Sequence, residues 1–429
     1  MADGRPGRVF VLTTGLDRRY LVVLGAWMVQ FTIVGMMFAY GLFFKSLEEE
    51  YGWSRTMLSA CSSLSFFMMG VLASFGGHLA DRYGPRIVLA FTGICYGAGY
   101  LLMSQVSMAW QMFAIFGLFV ALGMATHDVV TLSTVAHQFQ RRRGLMTAVV
   151  KVGTALGQIS VPVMAGFLIA STDWRSALLI LGSGSMIILL LGAGLMKRPP
   201  LAEAAAGEAS GNGASLQQAR HDPIFWMICA IQFAHFTTLT TIPLHIVVHG
   251  MDLGMNPAVA ATLLSVMAGA SIVGRLTVGG SVDRIGGRRA YILCFVPLIT
   301  SLVLFIFIPT PWLLYGAVAI YGFGHGGFYT VISPIVAEYF GLRSHGAIFG
   351  VVVFFGTIGG ALGLIMAGSV FVLLATGVFP IIGLEFVWLE IHWIAGIVLT
   401  IVVAFHIVRS FTQDMGSMAV GPSDLKEAL

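Results

Sequence analysis

The sequence is poor in charge. Asp, Glu, Lys and Arg make up only 10% of its 429 residues, whereas hydrophobic residues make up 57%. Soluble domains carry about 25% charged residues, and a water-soluble chain of this length could not bury so much apolar surface. The composition therefore excludes a soluble enzyme, a nucleic-acid-binding protein and a disordered chain. The net charge of +4 is small, so the positions of the charges matter more than their sum.

Cysteine is scarce as well. The spacing of the four cysteines matches neither a metal motif nor a disulfide framework, and all four lie in apolar runs: Cys61, Cys95, Cys229 and Cys294. We therefore expect neither a metal site nor disulfides. A phosphate-binding loop is missing, which argues against a function driven by ATP. The N-terminal segment has no apolar core before a cleavage site, so no signal peptide is predicted.

Long apolar runs, in contrast, are abundant. Twelve runs have about 20 residues each, the length that crosses a bilayer. In lipid they must be helices, because open strands would leave backbone groups without hydrogen bonds. We predict an all-α integral membrane protein with twelve transmembrane helices, near 21–44, 57–79, 87–106, 109–136, 145–170, 175–196, 223–248, 257–281, 290–309, 312–337, 346–371 and 389–409.

The longest polar stretch, rich in Ala, Gly, Ser and Gln, separates the sixth and seventh runs and is typical of a flexible linker. We predict an N-terminal six-helix half at 1–196, a linker at 197–222, helices seven to eleven at 223–371 and an atypical segment at 372–429. Most lysines and arginines fall on the side of the linker. This bias predicts that both termini are cytoplasmic.

A loop motif occurs once in each half. GHLADRYGPR at 77–86 joins the second and third runs, and GGSVDRIGGR at 279–288 joins the eighth and ninth. Glycines there permit tight turns and close approach of helices, and the aspartate can hold a cation or cap a neighbouring helix. The repetition predicts two pseudo-symmetric halves and a conformational latch, formed by Gly77, Asp81, Arg82, Gly84, Arg86, Gly279, Asp283, Arg284 and Gly286.

These repeated loops resemble the signature of the major facilitator superfamily. Within it, the stretches YGLFFK at 40–45, YGWS at 51–54 and FQRRRGL at 139–145 resemble monocarboxylate porters and the bacterial oxalate–formate exchangers. The resemblance implies a secondary transporter in which rocking of one half against the other carries an organic anion across the membrane.

Ionisable residues within the apolar runs are candidates for function, because burying charge in a membrane is costly. Arg275 lies about 12 Å from the cytoplasmic end of its run, where the resemblance implies that an arginine binds the substrate carboxylate. The alternative is a structural arginine that pairs with a carboxylate such as Asp128 or snorkels to the inner interface. Lys151 corresponds, one repeat earlier, to Val352, the place where the resemblance implies a second cation in exchangers. Lys151 either joins the anion site or forms a neutralising pair with Asp128. Two cations against one acid would favour a dicarboxylate, or a monocarboxylate with a second anion. If Asp128 stays protonated or pairs with Lys151, one free cation remains, which suits a monocarboxylate.

Proton symport needs a group that gains and loses a proton, and Asp128, His127 and His325 are the candidates. A hydrogen-bonded packing role stays open for each histidine. Aromatic residues that could line the apolar part of a substrate pocket include Tyr40, Tyr329 and Phe354. A core role is equally open for them.

The atypical segment resembles the last haem-binding helix of the cytochrome b subunit of membrane formate dehydrogenases. His392 and His406 would face one side of a helix there, about 21 Å apart. A bis-histidine haem needs a second ligand from another helix, and the other helices of that subunit are missing. Haem b is thus an alternative to the expectation of no cofactor.

The sequence predicts a carrier of small organic anions, in particular monocarboxylates, by proton symport or anion exchange, and not an enzyme. The expected partners are the organic acid, a proton or counter-anion and the lipid of a bacterial cytoplasmic membrane. Two alternatives stay open: a haem-carrying redox subunit, and a facilitator-fold carrier of a non-carboxylate solute.

Overall fold

The computed structural model describes residues 18–139, 142–197, 213–307 and 310–375, and the regular structure in these ranges is helical. Eleven long helices occupy them. The N-terminal half contains α1 Arg18–Ala39, α2 Arg55–Tyr83, α3 Pro85–Met103, α4 Ala109–Gln138, α5 Arg143–Ser171 and α6 Trp174–Leu195. The C-terminal half contains α7 Pro223–Asp252, α8 Pro257–Ile285, α9 Gly287–Phe307, α10 Pro311–Phe340 and α11 His345–Ala375.

Local sequence signals set the ends of these helices. Ser54, Asp173, Asp222 and Asn256 cap α2, α6, α7 and α8, because their side chains accept first-turn backbone N–H groups. Gly84 ends α2 with a φ of 95°, and Gly286 ends α8 with a φ of 84°. These are positions where a residue with a Cβ would be strained. The repeated loop motif thus makes the same sharp turn in each half.

Nine stretches within the described residues are long and apolar enough to cross a membrane. α4 contains a π-helical segment, Ile115–Val120, between two α-helical parts. The predicted twelfth helix, at 389–409, lies outside the described residues. So do most of the predicted linker and the candidate haem ligands His392 and His406.

The two halves use the same helix contacts. A Cβ built on Gly157 of α5 would lie 2.1 Å from the carbonyl oxygen of Phe31 in α1. One repeat later, a Cβ on Gly359 of α11 would lie 2.1 Å from the carbonyl oxygen of Phe233 in α7. The helices can approach this closely only because both positions are glycine. The prediction of an all-α membrane protein with two pseudo-symmetric halves is confirmed.

The halves meet along a glycine seam, formed by the pairs Gly77–Gly346 and Gly144–Gly279. A Cβ on Gly77 would lie 2.2 Å from the carbonyl oxygen of Gly346, and a Cβ on Gly144 would lie 2.3 Å from that of Gly279. The first pair joins α2 to α11, and the second joins α5 to α8. Both pairs lie beside the basic loops, so the two halves are in contact on that side; we call this arrangement the conformation closed beside the basic loops.

Candidate solute-binding site

A buried ion pair joins α4 and α5 inside the N-terminal half. Lys151 Nζ lies 2.5 Å from Asp128 Oδ1, and Lys151 is only 1% exposed. Gln30 of α1 donates from Nε2 to the same carboxylate oxygen at 2.7 Å. Three helices therefore converge on Asp128, and Lys151 balances its charge within the half. This is the neutralising arrangement that the sequence left as one of two alternatives.

His127 and Thr131 complete this network on α4. His127 Nδ1 lies 2.5 Å from the Met124 carbonyl oxygen, and its Nε2 lies 3.8 Å from Asp128 Oδ1. With Nδ1 donating to a carbonyl, the neutral ring keeps Nε2 as an acceptor. The Thr131 hydroxyl donates to the His127 carbonyl and accepts from Gln30 Nε2 at 3.0 Å. The two proton-coupling candidates of α4 are thus held in one hydrogen-bonded group.

Arg275 reaches from α8 across the interface between the halves. Its Nη1 donates to the Lys151 carbonyl oxygen and to Thr154 Oγ1, both at 2.6 Å. The residue is 3% exposed, and its Nε is buried without a hydrogen-bond partner. Within the described residues, Nη2 also makes no hydrogen bond. One edge of the guanidinium is therefore fixed on α5, and the other edge is unpartnered.

Tyr329 of α10 lies close to both cations. Its ring centroid is 4.8 Å from Lys151 Nζ and 5.5 Å from the Arg275 guanidinium carbon. Both distances are within the range of cation–π attraction. The structure thus brings together four of the predicted site residues, Asp128, Lys151, Arg275 and Tyr329, where α4, α5, α8 and α10 meet.

His325 lies one turn from Tyr329 on α10. The two rings meet edge to face at 4.9 Å, and His325 stacks on Tyr321 at 5.6 Å and on His235 of α7 at 5.4 Å. Its Nδ1 is buried without a hydrogen-bond partner. The predicted proton-coupling residue therefore belongs to an aromatic stack beside the site.

Two predicted pocket aromatics lie elsewhere. Tyr40 is buried within the N-terminal half, where its hydroxyl donates to the Leu58 carbonyl and its ring contacts Phe116. Phe354 is on α11, where a Cβ on Gly70 of α2 would lie 3.2 Å from its ring. The structure therefore does not bring Tyr40 or Phe354 together with Arg275 in the contacts it describes.

The loop aspartates lie at the starts of helices in the opposite half. Asp283 accepts from the backbone N–H groups of Gly144 and Leu145 at 2.8 and 3.0 Å, at the start of α5. Asp81 lies beside Gly346 at the start of α11, where a Cβ would be 3.0 Å from Asp81 Oδ1. The loop arginines are exposed: Arg82, Arg86 and Arg284. Each half therefore places a carboxylate at the positive end of a helix of the other.

Sequence reasoning missed Gln30 and Thr154. A signal for the glutamine existed, because Val29-Gln30-Phe31 recurs as Ile231-Gln232-Phe233 one repeat later. A buried amide at matching places in both halves indicates an interior position. Thr154 gave no such signal, since a threonine in a membrane helix usually hydrogen-bonds its own backbone.

The model of the Major Facilitator Superfamily matches residues 26–364 and, in a second stretch, 252–417, so this chain belongs to the Major Facilitator Superfamily. Similar proteins include the MFS transporter asaE of Aspergillus flavus, which is 27% identical over 363 residues, 82% of this chain and 79% of the relative. Monocarboxylate transporter 13 of Bos taurus is 28% identical over 354 residues, 81% of this chain and 82% of the relative.

The uncharacterized MFS-type transporter YhjX of Escherichia coli is 24% identical over 345 residues, 78% of this chain and 84% of the relative. Among solved structures, the proton:xylose symporter XylE bound to 6-bromo-6-deoxy-D-glucose superposes with a TM-score of 0.69. It covers 91% of this chain and 95% of its own, at 13% identity, so this likeness shows the fold alone. The chain is a multi-pass membrane transporter of this superfamily.

Proposed function

We propose that this transporter carries small monocarboxylates and that Arg275 binds the substrate carboxylate. The single observation that carries the proposal is the unpartnered edge of a buried guanidinium at the interface between the halves. A guanidinium stays charged and matches the two oxygens of a carboxylate. A buried cation without a carboxylate partner in its own protein is costly, and a bound anion would relieve that cost.

The charge balance of the site supports one carboxylate rather than two. Lys151 is engaged by Asp128 at 2.5 Å, so among the described residues at this interface Arg275 is the cation that lacks a carboxylate partner. A dicarboxylate would need a second free cation here. The name of Monocarboxylate transporter 13, one of the similar proteins, agrees with this substrate class.

Transport would follow alternating access between the two halves. Asp283 and Asp81 would stabilise the conformation that is closed beside the basic loops, because each holds the start of a helix in the opposite half. Asp128, with His127 beside it and His325 behind Tyr329, would couple transport to a proton; exchange against another anion is the alternative. The predicted setting is a bacterial cytoplasmic membrane with both termini inside.

The test is uptake of labelled formate, lactate and oxalate into proteoliposomes, with and without an inward acid gradient. Arg275→Lys keeps the charge but loses the planar fork, so we expect uptake to fall at least about tenfold. The matched control is Arg175→Lys in the first turn of α6, which should transport like the wild type.

Full retention of uptake in Arg275→Lys would overturn the carboxylate contact. Uptake of oxalate in preference to lactate and formate would overturn the monocarboxylate class. Stimulation by the acid gradient indicates symport, and stimulation by internal anion indicates exchange.

A further inference from the structure

Thr154 lies where α5 crosses α8, one turn after Lys151. Its hydroxyl donates to the Lys151 carbonyl at 2.7 Å and accepts from Arg275 Nη1 at 2.6 Å. We propose that Thr154 is a positioning residue, which orients the Arg275 guanidinium so that its Nε–Nη2 edge receives the substrate carboxylate. This inference rests on the proposed function of Arg275.

The geometry of the guanidinium carries the argument. Its donors lie in one plane in a fixed fork, so holding one nitrogen limits the direction of the others. Nη1 is held by two acceptors of α5, the Thr154 hydroxyl and the Lys151 carbonyl. The pair that remains is Nε and Nη2, which are parallel donors on one edge. Such an edge matches the two oxygens of a single carboxylate.

Thr154 can hold this orientation because its own hydroxyl is fixed. The hydroxyl has one proton, which it gives to the Lys151 carbonyl, so an oxygen lone pair faces Arg275. Thr154 is 6% exposed and its Cβ is branched, so its side chain has few alternative rotamers. The acceptor on Nη1 is therefore preorganised before any substrate arrives.

The contact also joins the two halves. Thr154 belongs to the N-terminal half and Arg275 to the C-terminal half, so the arrangement exists only while α5 and α8 are in contact. The oriented edge is therefore a property of the conformation closed beside the basic loops. A carboxylate should bind more tightly to this conformation than to one in which the two helices have separated.

The test compares initial rates of labelled lactate uptake into proteoliposomes for the wild type and four variants. Thr154→Val keeps the shape but removes the acceptor, so we expect KM to rise about tenfold, in line with loss of a hydrogen bond to a charged group, with Vmax within about twofold. Thr154→Ser keeps the hydroxyl and should restore KM. The Arg275→Lys variant reports on the proposed function itself.

Thr147→Val is the matched control. It makes the same change on α5, seven residues earlier, where the Thr147 hydroxyl is buried without a hydrogen-bond partner. Its KM should equal that of the wild type. A purely structural role for Thr154 would lower the amount of folded protein and Vmax without moving KM.

The outcomes separate the two claims. If Arg275→Lys loses uptake but Thr154→Val keeps the wild-type KM, the positioning role is wrong and the carboxylate contact stands. If Thr154→Ser fails to restore KM, the hydroxyl is not the responsible group and the positioning role is also wrong. If Arg275→Lys transports like the wild type, the proposed function itself fails, and the positioning role with it.

Discussion

The two halves of this transporter have the same packing but different chemistry. Gly157 meets the carbonyl of Phe31 in one half, and Gly359 meets that of Phe233 in the other at the same 2.1 Å from a built Cβ. The loop charges repeat, but the buried charges of the described residues do not. Within the described residues, the N-terminal half pairs its own Asp128 and Lys151, whereas Arg275 of the C-terminal half uses acceptors from the opposite half.

This difference shows which features a repeat constrains. Close helix contacts must be kept in both halves, because corresponding helices pack against each other in the same way in each half. A binding site needs only one set of charged groups, so each half is free to carry a different part. The cation without a carboxylate partner comes from one half, and the two acceptors of its hydrogen bonds come from the other.

The largest effect should follow from breaking the charge balance of the N-terminal half. Asp128→Asn leaves Lys151 buried without its partner, so the free energy of unfolding should fall by about 3 to 5 kcal/mol. Thermal unfolding of the purified protein measures this. The double variant Asp128→Asn with Lys151→Met removes both charges and should recover most of the loss. If the single variant is as stable as the wild type, Asp128 is not needed to neutralise the buried charge of Lys151.

A smaller effect tests whether the packing is equivalent. Gly157→Ala and Gly359→Ala each force a methyl group against a backbone carbonyl, so each should lower the free energy of unfolding by about 1 to 3 kcal/mol. The two values should agree, because the contacts match. The control is Gly184→Ala in α6, where a built Cβ has nothing within 4 Å; it should not lower the melting temperature, because alanine favours a helix more than glycine does. A large loss in one half alone would contradict the equivalence.

The smallest effect is expected outside the membrane, in a cluster of the N-terminal half. Arg175 binds both carboxylate oxygens of Glu50 at 2.8 and 2.6 Å. Together with the indole N–H of Trp174, it holds the pKa of Glu50 below its ordinary value. The pair therefore stabilises the fold above the pKa of an unfolded glutamate, and that contribution is lost as the pH falls through the lowered value.

We expect Glu50→Gln to melt slightly below the wild type at pH 7, and the difference to close as the pH is lowered from about 5 towards 3. Melting curves across this range provide the measurement. A difference that stays constant with pH would mean that the charge of Glu50 is not what stabilises the cluster.

The fold could be predicted from the sequence because its causes are local and repeated. Apolar runs of the length that crosses a bilayer specify the helices, and the two loop motifs reveal the halves. The site was only partly predictable. The depth of a residue along a helix follows from counting residues, so Arg275 and Lys151 could be placed at similar distances from the cytoplasmic ends of their helices. Which partner each side chain faces depends on helix rotation, and that is set by packing between elements distant in sequence.

Asp128 shows this limit. Spacing allowed it to pair with Lys151, with Arg275 or with neither, and only the packing of α1, α4 and α5 places Gln30 and Lys151 on the same carboxylate oxygen. Thr154 shows the same limit, because its hydrogen-bond partner on α8, Arg275, is 121 residues away in the sequence.

The glycine seam has a consequence for the kinetics of opening. Most protein interfaces must immobilise side chains whenever they close, and each long side chain loses rotamer freedom. Glycine has no rotamers, so the pairs Gly77–Gly346 and Gly144–Gly279 can separate and rejoin without that entropic cost. Closure at these points depends on backbone contact alone, and the seam can reform as soon as the two halves return to register. The alternating access proposed above would require this closure once in every transport cycle.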